Sequence, residues 1–166
     1  MKIAIIGAGN MGGSIARGLA KGSIISTTDI TVSNPSEQKL NMLKSEFPTL
    51  HITQNNQEAA KNAEIVILAV KPWLIKSVIN GLTLTKKQII VSVAAGISFE
   101  ELCCDLNETE MTLFRLIPNT AISQLCSMTL ISSYNATPAL EQQMLDIFNE
   151  MGLALKIGRA SCRERV

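Results

Sequence analysis

Lys2-Ile3-Ala4-Ile5-Ile6-Gly7-Ala8-Gly9-Asn10-Met11-Gly12 decides how the rest of the chain is read. A short apolar run without polar alternation ends in glycine, as a strand buried on both faces does. The next stretch, Asn10–Lys21, has helical spacing, with Ile15, Ala16 and Leu19 on one face and Gly22 as its stop. Between them stand Gly7, Gly9 and Gly12 in the pattern Gly-x-Gly-x-x-Gly. At a strand-to-helix turn each glycine has a separate physical use. Gly7 allows the tight turn, Gly9 lets bare main chain approach a diphosphate, and Gly12 lets the helix pack closely on the strand. The N–H groups of Asn10 and Met11, at the positive end of the helix, then face the phosphates.

Working outward, strand-like runs alternate with helix-like stretches. Strands are predicted at Asp29–Ser33, around His51, and at Glu64–Val70, Gln88–Val93, Met111–Leu116, Met128–Ser132 and Leu153–Ile157. Helices are predicted over Ser36–Glu46, capped by Ser36 and ended by Pro48, around Glu58–Lys61, from Pro72 to about Ile79, from a Ser98 cap to about Cys104, and over Pro138–Glu150. In the last of these Leu140, Met144, Ile147 and Phe148, with Met151 beyond, face inward. Such alternation, with buried strands, predicts an α/β fold of the Rossmann type: a doubly wound, mostly parallel sheet with helices on both faces.

Composition narrows the partners. The chain has 166 residues, 46% hydrophobic and only 17% charged, with a formal net charge of +1, so neither nucleic acid nor an anionic membrane surface is expected to bind it. The apolar start is too short for a signal peptide or a membrane span. Cys103, Cys104, Cys126 and Cys162 form no Cys-x-x-Cys pair and no metal-type spacing with His51, the only histidine. This suits reduced thiols in the cytoplasm, with no metal and no redox role.

The end of the second strand bears on the choice of dinucleotide. An NAD site usually places a carboxylate there, on the ribose 2′-hydroxyl. Here the segment is Ser33-Asn34-Pro35-Ser36, which offers two hydroxyls, an amide and a helix N-terminus, with Lys39 a turn later. No carboxylate in that segment repels a 2′-phosphate, so NADP(H) is expected, with NAD(H) as the alternative.

Four segments in order, IGAGNMG at Ile6–Gly12, LAVKP at Leu68–Pro72, SVAAGIS at Ser92–Ser98 and RLIPNT at Arg115–Thr120, resemble the signature segments of the pyrroline-5-carboxylate reductases. The resemblance runs over about Met1 to Ile157. It implies NADP-dependent reduction of 1-pyrroline-5-carboxylate to L-proline, the last step of proline biosynthesis, by a homo-oligomer. It places Val70, Lys71 and Pro72 along the cofactor ribose and Ala94, Ala95 and Gly96 near the nicotinamide. Asn56 falls in a loop facing the adenosine half, Ser33 and Pro35 flank the adenine ribose, and Asn119 and Thr120 end a strand near the site of hydride transfer. The sequence departs from the family after Thr120, where Ala121-Ile122-Ser123-Gln124-Leu125-Cys126-Ser127 stands in place of the usual proline and the glycines a little further on. Related readings are another two-domain NADP reductase, of the deazaflavin-dependent or β-hydroxyacid dehydrogenase type, and an NADP-sensing module without catalysis.

Family members continue into a helical domain that dimerises and supplies most of the substrate pocket. Residues 1–157 are therefore expected to be the cofactor-binding domain of a truncated chain that lacks catalytic residues and has little activity of its own. Asn119 and Thr120 are the nearest candidates. Residues 158–166, where apolar periodicity stops and charge rises, read as a non-native cloning scar. An exposed apolar patch is expected where the second domain would pack.

Overall fold

A computed structural model describes residues 1–158 of the chain. Eight strands form one sheet: β1 (Ile3–Ile6), β2 (Ile30–Ser33), β3 (His51–Thr53), β4 (Ile65–Leu68), β5 (Ile89–Ser92), β6 (Thr112–Ile117), β7 (Ser127–Tyr134) and β8 (Gly152–Lys156). Their order is β3-β2-β1-β4-β5-β6-β7-β8, parallel throughout except where β7 runs antiparallel to β6. The connection 118–126 explains that exception, because a parallel crossover needs about a dozen residues or more.

Six α-helices cover the sheet: α1 (Asn10–Lys21), α2 (Glu37–Glu46), α3 (Asn56–Ala60), α4 (Ile75–Asn80), α5 (Phe99–Leu106) and α6 (Pro138–Asn149). Alternate strand residues face opposite layers. Ile3, Ile5, Ile67 and Phe114 pack with α1, α2 and α6 through Ile15, Leu19, Leu40, Leu43, Ile147 and Phe148. Ala4, Ile6, Leu68 and Leu113 pack with α3, α4 and α5 through Ala60, Ile75, Ile79 and Leu102. All four residues of β1 are buried, which is why its sequence shows no polar alternation.

The observed elements follow the sequence-based boundaries closely, with five corrections. Pro72 opens a 3-10 turn, Pro72–Leu74, and α4 starts only at Ile75. Ser36 stands at the N-cap of α2 but its side chain makes no capping hydrogen bond. Asn56 is the first residue of α3 rather than part of a loop, and Asn55 caps that helix by accepting from the Glu58 N–H. Thr120 does not end a strand: β6 stops at Ile117, and Thr120 opens a 3-10 turn, Thr120–Gln124, capped by Asn119. Leu140 is only partly buried. The Ser98 cap of α5 is present, and Glu101 completes it by accepting from the Ser98 N–H, a reciprocal box readable in Ser98-x-x-Glu101.

An apolar patch is exposed on one face of the last three strands. Met128 is paired with Leu153 and Leu130 with both Leu155 and Ile117, and Ile117, Met128, Leu153 and Leu155 are 41–53% exposed. Among the described residues no helix is long and apolar enough to cross a membrane, and no group of metal-ligating side chains gathers. Cys103 packs half-buried against the second core cluster, and Cys104 and Cys126 are exposed. Cys162 and the rest of the expected non-native tail, apart from Gly158, lie outside the described residues.

Charged side chains tie neighbouring elements together. Arg17 of α1 donates from Nε and Nη2 to Glu46 of α2, at 2.7 and 2.6 Å, and holds that carboxyl below its ordinary value. Lys156 of β8, helped by the Ser133 hydroxyl, does the same for Glu141. At Glu150 burial pushes the carboxyl up, but the Ser23 hydroxyl and the N–H groups of Ile24 and Ser23 outweigh it, and the net displacement is downward. Carboxyls lowered in the fold stabilise it above their unfolded value, near 4.5, and stop doing so as pH falls through the lower folded values. Thermal unfolding should therefore be nearly independent of pH above about 6 and decline steadily below about 4.5. Melts of the chain and of Glu150→Gln across that range check this. A variant slope as steep as the parent's would show that Glu150 contributes nothing to the decline.

Candidate dinucleotide site

The site starts at the C-terminal end of β1, where the strand order reverses: successive strands go to one side as β2 and β3, then to the other as β4 and β5. Open α/β sheets bind ligands in the crevice at this point. The turn between β1 and α1 is closed at two glycines and open at the third. Gly7 has φ +106°, and a Cβ there would lie 2.5 Å from the Ala69 carbonyl oxygen and 3.1 Å from Val70 Cγ1. A Cβ on Gly12 would lie 1.9 Å from the Gly7 carbonyl oxygen. At Gly9, by contrast, no atom beyond the adjoining residues lies within 4 Å of the place a Cβ would take.

Gly9 is also the N-cap of α1 and offers no side-chain cap. Its carbonyl accepts the first helical bond, from Gly13 at 2.8 Å. The N–H groups of Asn10, Met11 and Gly12 therefore precede the first intrahelical bond, on the side where Gly9 leaves space. A backbone recess with outward N–H groups at the positive end of a twelve-residue helix fits a diphosphate.

Other candidate residues line the same sheet edge. Ser33 is fully buried, and its hydroxyl donates to Asn56 Oδ1 at 2.8 Å, so these two are brought together. Asn34 turns inward, its Oδ1 accepting from the Ala8 N–H at 2.9 Å. Pro35 is exposed, and its carbonyl accepts from Gln54 Nε2 at 2.9 Å, a contact that no sequence pattern announced. The uncapped N-terminus of α2 begins beside it with Ser36. Lys39 is exposed there, but so is Glu37, which sequence reasoning missed and which offsets the lysine charge.

On the other side of β1, Val70 touches the position of a Gly7 side chain, while Lys71 is exposed and N-caps the 3-10 turn that Pro72 opens. Trp73, the only tryptophan, follows at 75% exposure. After β5, Ala94 is buried, its N–H 3.3 Å from the Ser92 hydroxyl, while Ala95 and Gly96 are exposed in a turn where Gly96 has φ +76°. Asn119 follows β6, its Oδ1 accepting from the Ala121 N–H at 3.0 Å, and both Asn119 and Thr120 are exposed. Apart from Asn56, which follows β3, the candidates lie along one edge from β2 to β6, across five adjacent strands. At about 4.8 Å per strand this is roughly 19 Å. Two hollows, of about 450 and 560 Å³, lie away from this edge and contain none of these residues: one lies between α4 and α5 near Lys86 and Glu108, the other beside Cys103 and Tyr134.

The fold defines a dinucleotide-binding domain of the Rossmann type, and over residues 2–96 the chain belongs to the family described as NADP oxidoreductase, coenzyme F420-dependent. More particularly, it is similar to pyrroline-5-carboxylate reductases. That of Escherichia coli (strain K12) is 34% identical over 157 residues, covering 92% of this chain and 57% of that protein. That of Methanosarcina acetivorans is 31% identical over 160 residues, covering 94% and 58%. The crystal structure of the Plasmodium falciparum pyrroline carboxylate reductase with NADP bound superposes with a TM-score of 0.85 at 25% identity, over 96% of this chain and 58% of the other. The Coxiella burnetii pyrroline-5-carboxylate reductase gives a TM-score of 0.82 at 30% identity, over 95% and 58%. The chain thus spans somewhat more than half the length of these relatives. A 3-hydroxyisobutyrate dehydrogenase from Mycobacterium tuberculosis, at 11% identity and a TM-score of 0.73, shares the fold alone.

Proposed function

We propose that residues 1–157 hold NADP(H) for a pyrroline-5-carboxylate reductase, which reduces 1-pyrroline-5-carboxylate to L-proline in the cytoplasm as a homo-oligomer without nucleic-acid or membrane partners. The observation that carries this reading is the contrast within the glycine turn: no room for a side chain at Gly7 and Gly12, and open space with outward N–H groups at Gly9. Gly7, Gly9, Asn10, Met11 and Gly12 would receive the diphosphate. Ser33, Pro35, Ser36 and Asn56 surround the place for the adenine ribose. Because Ser36 does not cap α2, its hydroxyl and the first N–H groups of that helix are available to a 2′-phosphate. Val70, Lys71 and Pro72 would lie along the second ribose, and Ala94, Ala95 and Gly96 against the nicotinamide.

When bound, NADPH supplies the hydride, and the protein's task is to orient it and exclude competing chemistry. Asn119 and Thr120 stand nearest the reacting end, and no catalytic role is assigned to either. The NADP-bound structural relative and the family's description support NADP over NAD. The similarity to curated reductases over 92% of the chain supports the substrate.

The test is oxidation of NADPH driven by 1-pyrroline-5-carboxylate, run with this chain and with the whole-length gene product. The chain alone should turn over slowly or not at all, and the whole-length protein should be active. Rapid turnover by the chain alone would contradict the division of labour, and an inert whole-length protein would contradict the substrate. The family's description raises a second reading, exchange of reducing equivalents between NADP and coenzyme F420. Substituting that coenzyme for the imine in the same assay separates the two.

A further inference from the structure

The β1–β2 ladder has a regular end and then one bond too many. Its last paired residues are Ile6 and Ser33, and the Gly7 N–H donates to the Ser33 carbonyl at 2.8 Å. In a regular parallel strand the Ala8 N–H would point away from β2, but Gly7, at φ +106°, turns the chain and brings that N–H to the segment just past Ser33. Asn34 supplies the acceptor from its side chain: Oδ1 lies 2.9 Å from the Ala8 nitrogen, in a buried setting. Asn34 is itself held on two other sides. Its N–H donates to the Thr53 carbonyl at 3.2 Å, and its Nδ2 lies 3.4 Å from the Ser36 carbonyl. An amide side chain thus supplies the acceptor for the first N–H past the strand end.

We infer that Asn34 is a positioning residue for the diphosphate site, acting through Ala8 rather than on the ligand. With the Ala8 N–H engaged inward, the glycine turn keeps one conformation. In it Gly9, Asn10 and Met11 face the crevice, so the turn is built before the ligand arrives. The same side chain links the turn to the segment that opens α2, joining the two ends of the adenosine half of the site. The plain alternative is that Asn34 satisfies a buried donor and affects stability only. This inference rests on the dinucleotide reading above.

Energy transfer from Trp73, the only tryptophan, to bound reduced nicotinamide provides the titration, with calorimetry as the second measure. Asn34→Ala should weaken NADPH and NADH by the same factor, about tenfold, which is what one lost hydrogen bond's worth of preorganisation produces. Amide exchange at Ala8 should accelerate while Ile5 and Ile6 stay protected, a local change that loss of overall stability does not produce. If Asn34→Ala fails to fold, Asn34→Asp retains an oxygen for Ala8. It should keep that amide protected and retain saturable binding of both dinucleotides.

Three results overturn the inference. The first is a foldable Asn34→Ala chain with lower stability but unchanged affinities. The second is weakening of NADPH alone, which would mean direct contact with the 2′-phosphate. The third is fast Ala8 exchange in Asn34→Asp or in the unaltered chain. Failure of the unaltered chain to bind either dinucleotide sinks the underlying reading as well, and so is distinguishable from these.

Discussion

Replacing Gly12 by alanine is expected to lower the thermal unfolding midpoint by about 6–12 °C, the equivalent of about 3 kcal/mol in a chain of this size. The sign is the informative part. In an ordinary helix interior glycine-to-alanine stabilises by about 1 kcal/mol, because alanine has less freedom to lose. Here the added Cβ meets the Gly7 carbonyl oxygen at 1.9 Å and the Ala69 Cβ at 3.0 Å. Main chain cannot rotate out of the way as a side chain does, so α1 must lift from β1, and Ile15, Ala16 and Leu19 lose packing with it. Scanning calorimetry of purified Gly12→Ala checks this. A midpoint equal to or above the parent's would mean that the helix sits farther from the strand than these distances require.

Gly9→Ala should do the opposite: leave stability within about 0.5 kcal/mol of the parent and weaken NADPH by about 100-fold, some 2.7 kcal/mol. No atom beyond the adjoining residues lies within 4 Å of the new methyl group, and Gly9 has φ −71° and ψ −167°, which any L-residue adopts. The small loss of N-cap quality and the small gain from a stiffer unfolded chain nearly cancel. What the methyl group occupies is the space through which a diphosphate reaches the N–H groups of the first helical turn. The two glycines, three residues apart, thus separate a structural requirement from a ligand requirement. A Gly9→Ala chain that bound NADPH as tightly as its parent would place the phosphates elsewhere.

Much of this arrangement is legible in the sequence alone. The runs Lys2–Ile6, Glu64–Val70 and Gln88–Val93 are apolar without alternation because their strands are covered on both faces, whereas a solvated face would put a polar residue at every second position. The roles of Gly7, Gly9 and Gly12 follow from steric arguments that depend only on a strand-to-helix turn. What the sequence leaves open is settled by side-chain direction and by short turns. Asn34 reads as a polar donor facing a ligand, whereas its carbonyl oxygen faces Ala8. Nothing in Ser33-Asn34-Pro35-Ser36 says which way the amide turns, because that depends on where β1 stops. The family resemblance puts Thr120 at a strand end, but β6 stops at Ile117 and Asn119 caps a 3-10 turn there. Glu37 gives no signal of its own, because a carboxylate in the first turn of a helix is so common. The link from Gln54 to Pro35 joins residues far apart in sequence and carries no periodic signal.

The central claim is that bare main chain at the β1–α1 turn receives a dinucleotide diphosphate, and the most direct measurement is calorimetric titration of the purified chain with NADPH, followed by the same titration of Gly9→Ala. Saturable binding of one NADPH per chain, weakened about 100-fold in the variant, is the expected result. No heat with the unaltered chain, or equal affinity in both proteins, would contradict that claim.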